Sequence, residues 1–137
     1  MAIPYLACMV LVAKVYALPP RVLPSIQAVE GGRPGTASLN TDGSADLGVM
    51  QVNTRWVPAL ARIAGLSPED VRKRLIFDAC FNIAAAGAIL RTYLVETHND
   101  LMRAIGDYHS HTEIRNQRYQ LQVLRAAQIM FQAQVKR

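Results

Sequence analysis

Apolar residues recur along this chain at helical spacing almost from one end to the other. Tyr5 to Tyr16 is apolar on most faces. Pro19-Pro20 forces a break behind it, because proline lacks an amide hydrogen and clashes with the preceding turn. Arg21 to Glu30 follows, with Val22, Leu23, Ile26 and Val29 on one face. Gly31-Gly32 ends that segment, since glycine readily takes the left-handed C-cap conformation. Arg33 to Gly48 is polar, rich in Gly, Asn, Thr, Ser and Asp. It reads as a loop, and a loop that long inside a small domain is usually functional.

Val49 to Asn53 is then a short extended or buried piece. Asn53 or Thr54 caps a helix through Ala64 that tolerates Pro58 only in its first turn. Ser67-Pro68-Glu69-Asp70 combines an N-cap, a proline at the first helical position and acids in the first turn. Asp78 caps a helix to about Thr97, and its small or apolar middle, Ile83 to Leu90, predicts the central buried helix. Asn99 or Asp100 caps another that ends near Tyr108. The last helix covers about Asn116 to Gln134, with Val123, Leu124, Ala127, Met130 and Phe131 as its core stripe. No internal repeat and no multi-strand pattern is visible. The expected class is all-α, with at most a very short β element around residues 40–52.

Composition narrows this picture. With 137 residues, 51% hydrophobic and 18% charged, the chain is expected to form one domain, 1–137, and not a disordered segment. No apolar run reaches the roughly 18 to 20 residues of a membrane span; the longest, Ala2 to Ala13, stops at Lys14. Val15-Tyr16-Ala17 resembles an export cleavage site. Without a positive start to the run, and with Lys14 inside it, residues 1–17 read as part of the fold. A net charge of +5 favours polyanions in general. The basic residues are scattered, with Arg72-Lys73-Arg74 the only cluster, so nucleic acid is not an expected partner. Two cysteines, Cys8 and Cys80, leave two buried thiols or one disulfide open. A disulfide would place the protein outside the reducing cytoplasm.

Among the acids, Glu30 is the only charge from Val22 to Gly32. At a helix C-terminus it faces the negative end of the macrodipole, and its neighbours are apolar or glycine. Both effects raise a carboxyl pKa toward the range of a general acid. A solvated glutamate is nevertheless the commoner fate of such a residue. His109-x-His111, with Asp107 and Glu113 nearby, is weak as a metal motif, because two histidines two apart lack a third fixed ligand. No metal or cofactor is expected. Asp46 is a rival carboxylate in the polar loop; hydrogen bonding to backbone amides is its expected work.

The wider context is more specific. Ala28-Val29-Glu30-Gly31-Gly32 is followed by Asn40 and by Gly43-Ser44-Ala45-Asp46-Leu47-Gly48-Val49-Met50-Gln51-Val52-Asn53. Farther on stand Asp78-Ala79-Cys80-Phe81-Asn82-Ile83 and Ala104-Ile105-Gly106-Asp107-Tyr108-His109-Ser110. In order and spacing these segments resemble the soluble lytic transglycosylase family with its lysozyme-like domain, over about residues 5–125. The small branch attached to type IV secretion, conjugation and type III secretion systems is most similar. There a cysteine in the first helix and an Asp-Pro-Cys-x-Asn element resemble Cys8 and Cys80, which implies a Cys8–Cys80 disulfide.

The resemblance implies a lysozyme-like fold of the goose-type kind. It also implies cleavage of the β-1,4 bond between N-acetylmuramic acid and N-acetylglucosamine, leaving a 1,6-anhydromuramic end. Glu30 matches the catalytic acid, which would protonate the glycosidic oxygen and then deprotonate the muramyl C6 hydroxyl. Gly48, Met50 and Gln51 match the segment lining the glycan cleft. Gln51 would hydrogen-bond a sugar and Met50 would offer an apolar face. Asn82 would contact substrate, and Tyr108 would hold Glu30 through its hydroxyl. Met50 as core filler, Asn82 as a backbone partner and Tyr108 as an ordinary buried phenol are the plain alternatives.

Two positions depart from the family pattern: Gly31 replaces the usual serine, and His109 the usual asparagine. The implied setting is the Gram-negative periplasm. The implied partners are peptidoglycan strands and subunits of a secretion or conjugation apparatus, with the chain itself a monomer. Two other readings are a muramidase using Asp46 to activate water, and a weakly catalytic glycan- or partner-binding component.

Overall fold

Capping side chains open three of the α-helices in the computed structural model, which describes residues 2–135. Residue 1 and residues 136–137 of the expected 1–137 domain lie outside the described residues. Among those described, seven α-helices carry most of the chain: α1 Leu6–Val15, α2 Val22–Glu30, α3 Val57–Ala64, α4 Pro68–Phe77, α5 Ala79–Glu96, α6 Leu101–His109 and α7 Glu113–Val135. Ser67 accepts from the Asp70 amide at 3.1 Å, Asp78 from Phe81 at 3.0 Å and Asp100 from Arg103 at 3.1 Å. Each supplies an acceptor that a first helical turn lacks. Asn53 caps a short 3₁₀ turn, Thr54–Trp56, that leads into α3, and Pro58 sits in the first turn of α3. Gly31 closes α2 at φ 65°.

The structure adds a small sheet where the sequence predicts a loop. Strands β1 Ala37–Leu39, β2 Ala45–Leu47 and β3 Val52–Asn53 pair antiparallel in that order. Ala37 faces Leu47, Leu39 faces Ala45, and Asp46 faces Asn53. The first strand lies ahead of the 40–52 window, and the expected Arg33–Gly48 loop contains two strands. These strands have three residues at most, and β1 is exposed throughout. Too few residues alternate to leave a period-two signal.

At the centre, α5 buries Asn82, Ile83, Ala85, Ala86, Gly87, Ile89, Leu90, Tyr93 and Leu94, as its apolar middle predicts. Helix α1 packs on α5, and the sulfurs of Cys8 and Cys80 are bonded across that contact, with Cα atoms 5.5 Å apart. Helix α7 packs along α6 and α2. It begins three residues before the expected start, and its buried face runs through Asn116, Tyr119 and Val123. Leu124, one residue round from Val123, therefore turns outward and is 44% exposed. The expected stripe holds at Val123 and fails at Leu124.

The sheet is anchored to the helices by one amide. Asn82, fully buried on α5, donates through Nδ2 to Leu47 O at 2.7 Å and to Leu75 O at 2.8 Å. Its Oδ1 accepts from the Met50 amide at 2.8 Å. Between the sheet and the bodies of α5 and α6 lies a cleft.

Candidate active site

Glu30 is the last residue of α2, half-buried where that helix meets α7. The Tyr119 hydroxyl donates to Glu30 Oε2 at 2.5 Å. Tyr119 is buried on α7, and its ring stacks on His109 with centroids 4.9 Å apart and planes at 7°. Burial pushes the Glu30 carboxyl above the usual glutamate value. The hydrogen bond from Tyr119 opposes that rise, and the negative charge of Asp46 adds to it. The Tyr108 and Tyr119 phenols are pushed well above the ordinary tyrosine value, by burial first and by the Glu30 charge second. Both stay protonated at neutral pH and serve as donors.

The cleft has a volume of about 570 Å³. Its sheet side carries Leu39, Asp42, Ser44, Asp46, Gln51 and Asn53, and its helical side Ile89, Tyr108 and His109, with Arg55, Trp56 and Arg115 at the margins. A second cavity of about 300 Å³, lined by Gly31, Gly32, Arg33, Thr36 and Ser38, shares Glu30 and Gln51 with the first. Glu30 and Gln51 border both cavities, and that shared border is the waist of the site.

The residues singled out by sequence separate into two groups. Glu30 and Gln51 face the cleft. Gln51 holds a left-handed backbone at φ 53° and donates Nε2 to Gly48 O at 3.0 Å. Gly48, Met50 and Asn82 instead build the support beneath it, and Tyr108 lines the cleft while bracing that support. Gly48 sits at φ 66°, where an added Cβ would run into the Leu75 carbonyl oxygen. Met50 is fully buried and offers no face to a ligand. Asn82 is likewise sealed off, its amide spent on three backbone groups of the sheet and α4. The Tyr108 hydroxyl donates to Met50 O at 2.7 Å, not to Glu30.

The structure therefore corrects four expectations, the first being that Gly48 lines the cleft, which it does not. Met50 and Asn82 do not face the cleft, and the phenol on Glu30 is Tyr119, not Tyr108. Sequence reasoning missed Tyr119 although a signal existed: it lies four residues before Val123, on the same helical face, where a buried hydroxyl needs a partner. Asp46, also lining the cleft, accepts from Asn53 Nδ2 at 3.0 Å across the β2–β3 pair, a side-chain partner where backbone amides are expected. Neither cysteine lines the cleft. The grouping of His109 with His111, Asp107 and Glu113 is broken: His109 stacks on Tyr119, and Glu113 pairs with Arg103 at 2.9 Å. No single helix among the described residues is long and apolar enough to cross a membrane.

Comparison with known proteins places this geometry in a family. A model described as "Transglycosylase SLT domain" matches residues 8–128. "Invasion protein IagB" of Salmonella typhimurium and of Salmonella typhi is 28% identical over 106 residues, covering 77% of this chain and 62% of the relative. The chain thus spans a little under two thirds of the length of these curated relatives. The observed all-α architecture is the lysozyme-like fold of that family. With nearly the whole chain matched, this protein belongs to the SLT-domain transglycosylase family.

Proposed function

We propose that this chain is a peptidoglycan lytic transglycosylase in which Glu30 acts first as acid and then as base. It would protonate the oxygen of the β-1,4 bond between N-acetylmuramic acid and N-acetylglucosamine. The resulting carboxylate would take the proton from the muramyl C6 hydroxyl as that oxygen closes on C1, giving a 1,6-anhydromuramic end. The observation that carries this reading is the position of Glu30: a half-buried carboxyl of raised pKa at the waist between two cavities, steadied by Tyr119. A glycan lying across that waist would have a sugar on each side of the acid. Gln51, beside it, has its Nε2 turned to Gly48 and contacts the substrate through what remains of its amide.

One observation favours a second reading. Asp46 lines the same cleft and its charge reaches Glu30, so a second carboxylate is available to activate water for lysozyme-like hydrolysis. Mass spectrometry of purified peptidoglycan digested by the chain separates the two. Muropeptides lighter by one water support the transglycosylase. Reducing-end products of full mass support hydrolysis through Asp46.

Around that chemistry we place one catalytic domain across residues 1–137, acting as a monomer in the periplasm of a Gram-negative envelope. It would open the wall for a secretion or conjugation apparatus whose subunits are its partners. The Cys8–Cys80 bond supports an oxidising compartment. Relatives at 28% identity carry the name "Invasion protein IagB", and a role in invasion is compatible with such work at the envelope.

A further inference from the structure

Away from the cleft, Glu96, Asp107 and His111 bring three metal-ligating atoms within 4.8 Å of one another. They come from the last residue of α5, from α6, and from the turn joining α6 to α7. His111 Nε2 stands 3.9 Å from Glu96 Oε2 and 3.8 Å from Asp107 Oδ2. Those separations are too long for hydrogen bonds. They exceed by about 0.5 Å the edge of about 3.4 Å expected between ligands held about 2.1 Å from a tetrahedral zinc ion, a gap that small side-chain rotations close.

Asp107 anchors the group. Its side chain is only 5% exposed, where a carboxylate requires partners. Oδ1 accepts from Asn116 Nδ2 at 2.8 Å and has Arg103 Nε 3.8 Å away. Oδ2 takes no hydrogen bond from the described residues and is turned toward His111 and Glu96. A carboxylate with one oxygen fixed by an amide and the other facing an imidazole is how outer partners orient a metal ligand. His111 and Glu96, 59% and 54% exposed, leave the position open to ions and water.

We propose that Glu96, Asp107 and His111 bind a first-row divalent cation of the zinc class, with water completing its coordination. One imidazole nitrogen and two carboxylate oxygens suit zinc and its neighbours, whereas calcium and magnesium prefer shells of oxygen alone. A cation there would tie α5, α6 and the turn between α6 and α7 together. It would also stand behind the cleft wall: the His111 ring meets Tyr93 at 5.3 Å, Tyr93 meets Trp56 at 5.8 Å, and Trp56 lines the cleft. Nothing in this proposal depends on the chemistry of Glu30.

Isothermal titration of the full chain with zinc chloride tests it, with calcium and magnesium chloride as comparisons and cobalt(II) as an optical probe. The expected result is one zinc per chain, visible cobalt absorption from a coordinated site, and a thermal midpoint that rises with zinc. His111→Ala and Glu96→Gln, both at exposed positions, each weaken zinc binding at least tenfold, with folding checked by circular dichroism. His109→Ala binds zinc as the parent does. Failure to take up zinc stoichiometrically, undiminished uptake by His111→Ala, loss of uptake in His109→Ala, or equal uptake of calcium overturns the proposal.

Discussion

The pair formed by Glu30 and Tyr119 sets two expectations at the scale of single residues. Replacing a group that transfers protons removes roughly 10²- to 10⁴-fold in rate, and more when it serves both half-steps. Glu30→Gln should therefore abolish release of anhydro-muropeptides, measured by mass spectrometry, while the circular dichroism spectrum is unchanged. The same substitution should raise stability at neutral pH. Below the ordinary glutamate value of 4.5 the carboxyl is neutral in both folded and unfolded chains. As pH rises from there through the raised folded value, the unfolded chain ionises first, and the folded state loses stability. The glutamine variant escapes that loss. Its melting temperature should exceed the parent's at pH 7, and the gap should close below about pH 4.5. Tyr119→Phe removes a hydrogen bond that holds the Glu30 pKa down. The alkaline limb of the pH–rate profile should move upward, while the peak rate falls roughly ten- to hundredfold. A fall in rate with an unmoved limb would leave Tyr119 a purely structural role.

At the scale of elements, the turn from Gly48 to Gln51 depends on α5. Asn82→Ala would orphan two buried carbonyls and one amide, each worth roughly 1–3 kcal/mol. A loss of about 3 kcal/mol or more should appear in urea denaturation. Gly31→Ala isolates backbone cost, because φ is 65° and a Cβ there meets open space. The expected loss is on the order of 1 kcal/mol, with the denaturant slope unchanged. That conformation also gives a physical reason for glycine at the position where the family usually has serine. The helices were legible in the sequence because their caps are short-range signals: Ser67, Asp78, Asp100 and Gly31 act within one turn. That Glu30 and Gln51 border a cleft was legible through their motifs. The sheet was not, because three-residue strands carry no period. Asn82 and Met50 misled because residue type does not say whether a polar or sulfur-bearing side chain faces ligand or backbone. Tyr119 stayed hidden because its partner is far away in sequence, and only tertiary packing brings α7 to α2.

At the scale of the molecule, the Cys8–Cys80 bond closes a loop of 72 residues and links the first helix to the central one. The chain-entropy account assigns such a closure about 4 kcal/mol. Intact-mass analysis under alkylation should find no free thiol in protein made under oxidising conditions. Reduction, or Cys8→Ser, should lower the denaturation free energy by about that amount. The waist at Glu30 has a bearing on how a polymer is consumed. If the proposed cleavage holds, cavities bordering Glu30 on either side would let a long chain settle sideways at any repeat and be cut mid-length, so that one encounter would halve a strand where an end-trimmer would remove a single unit.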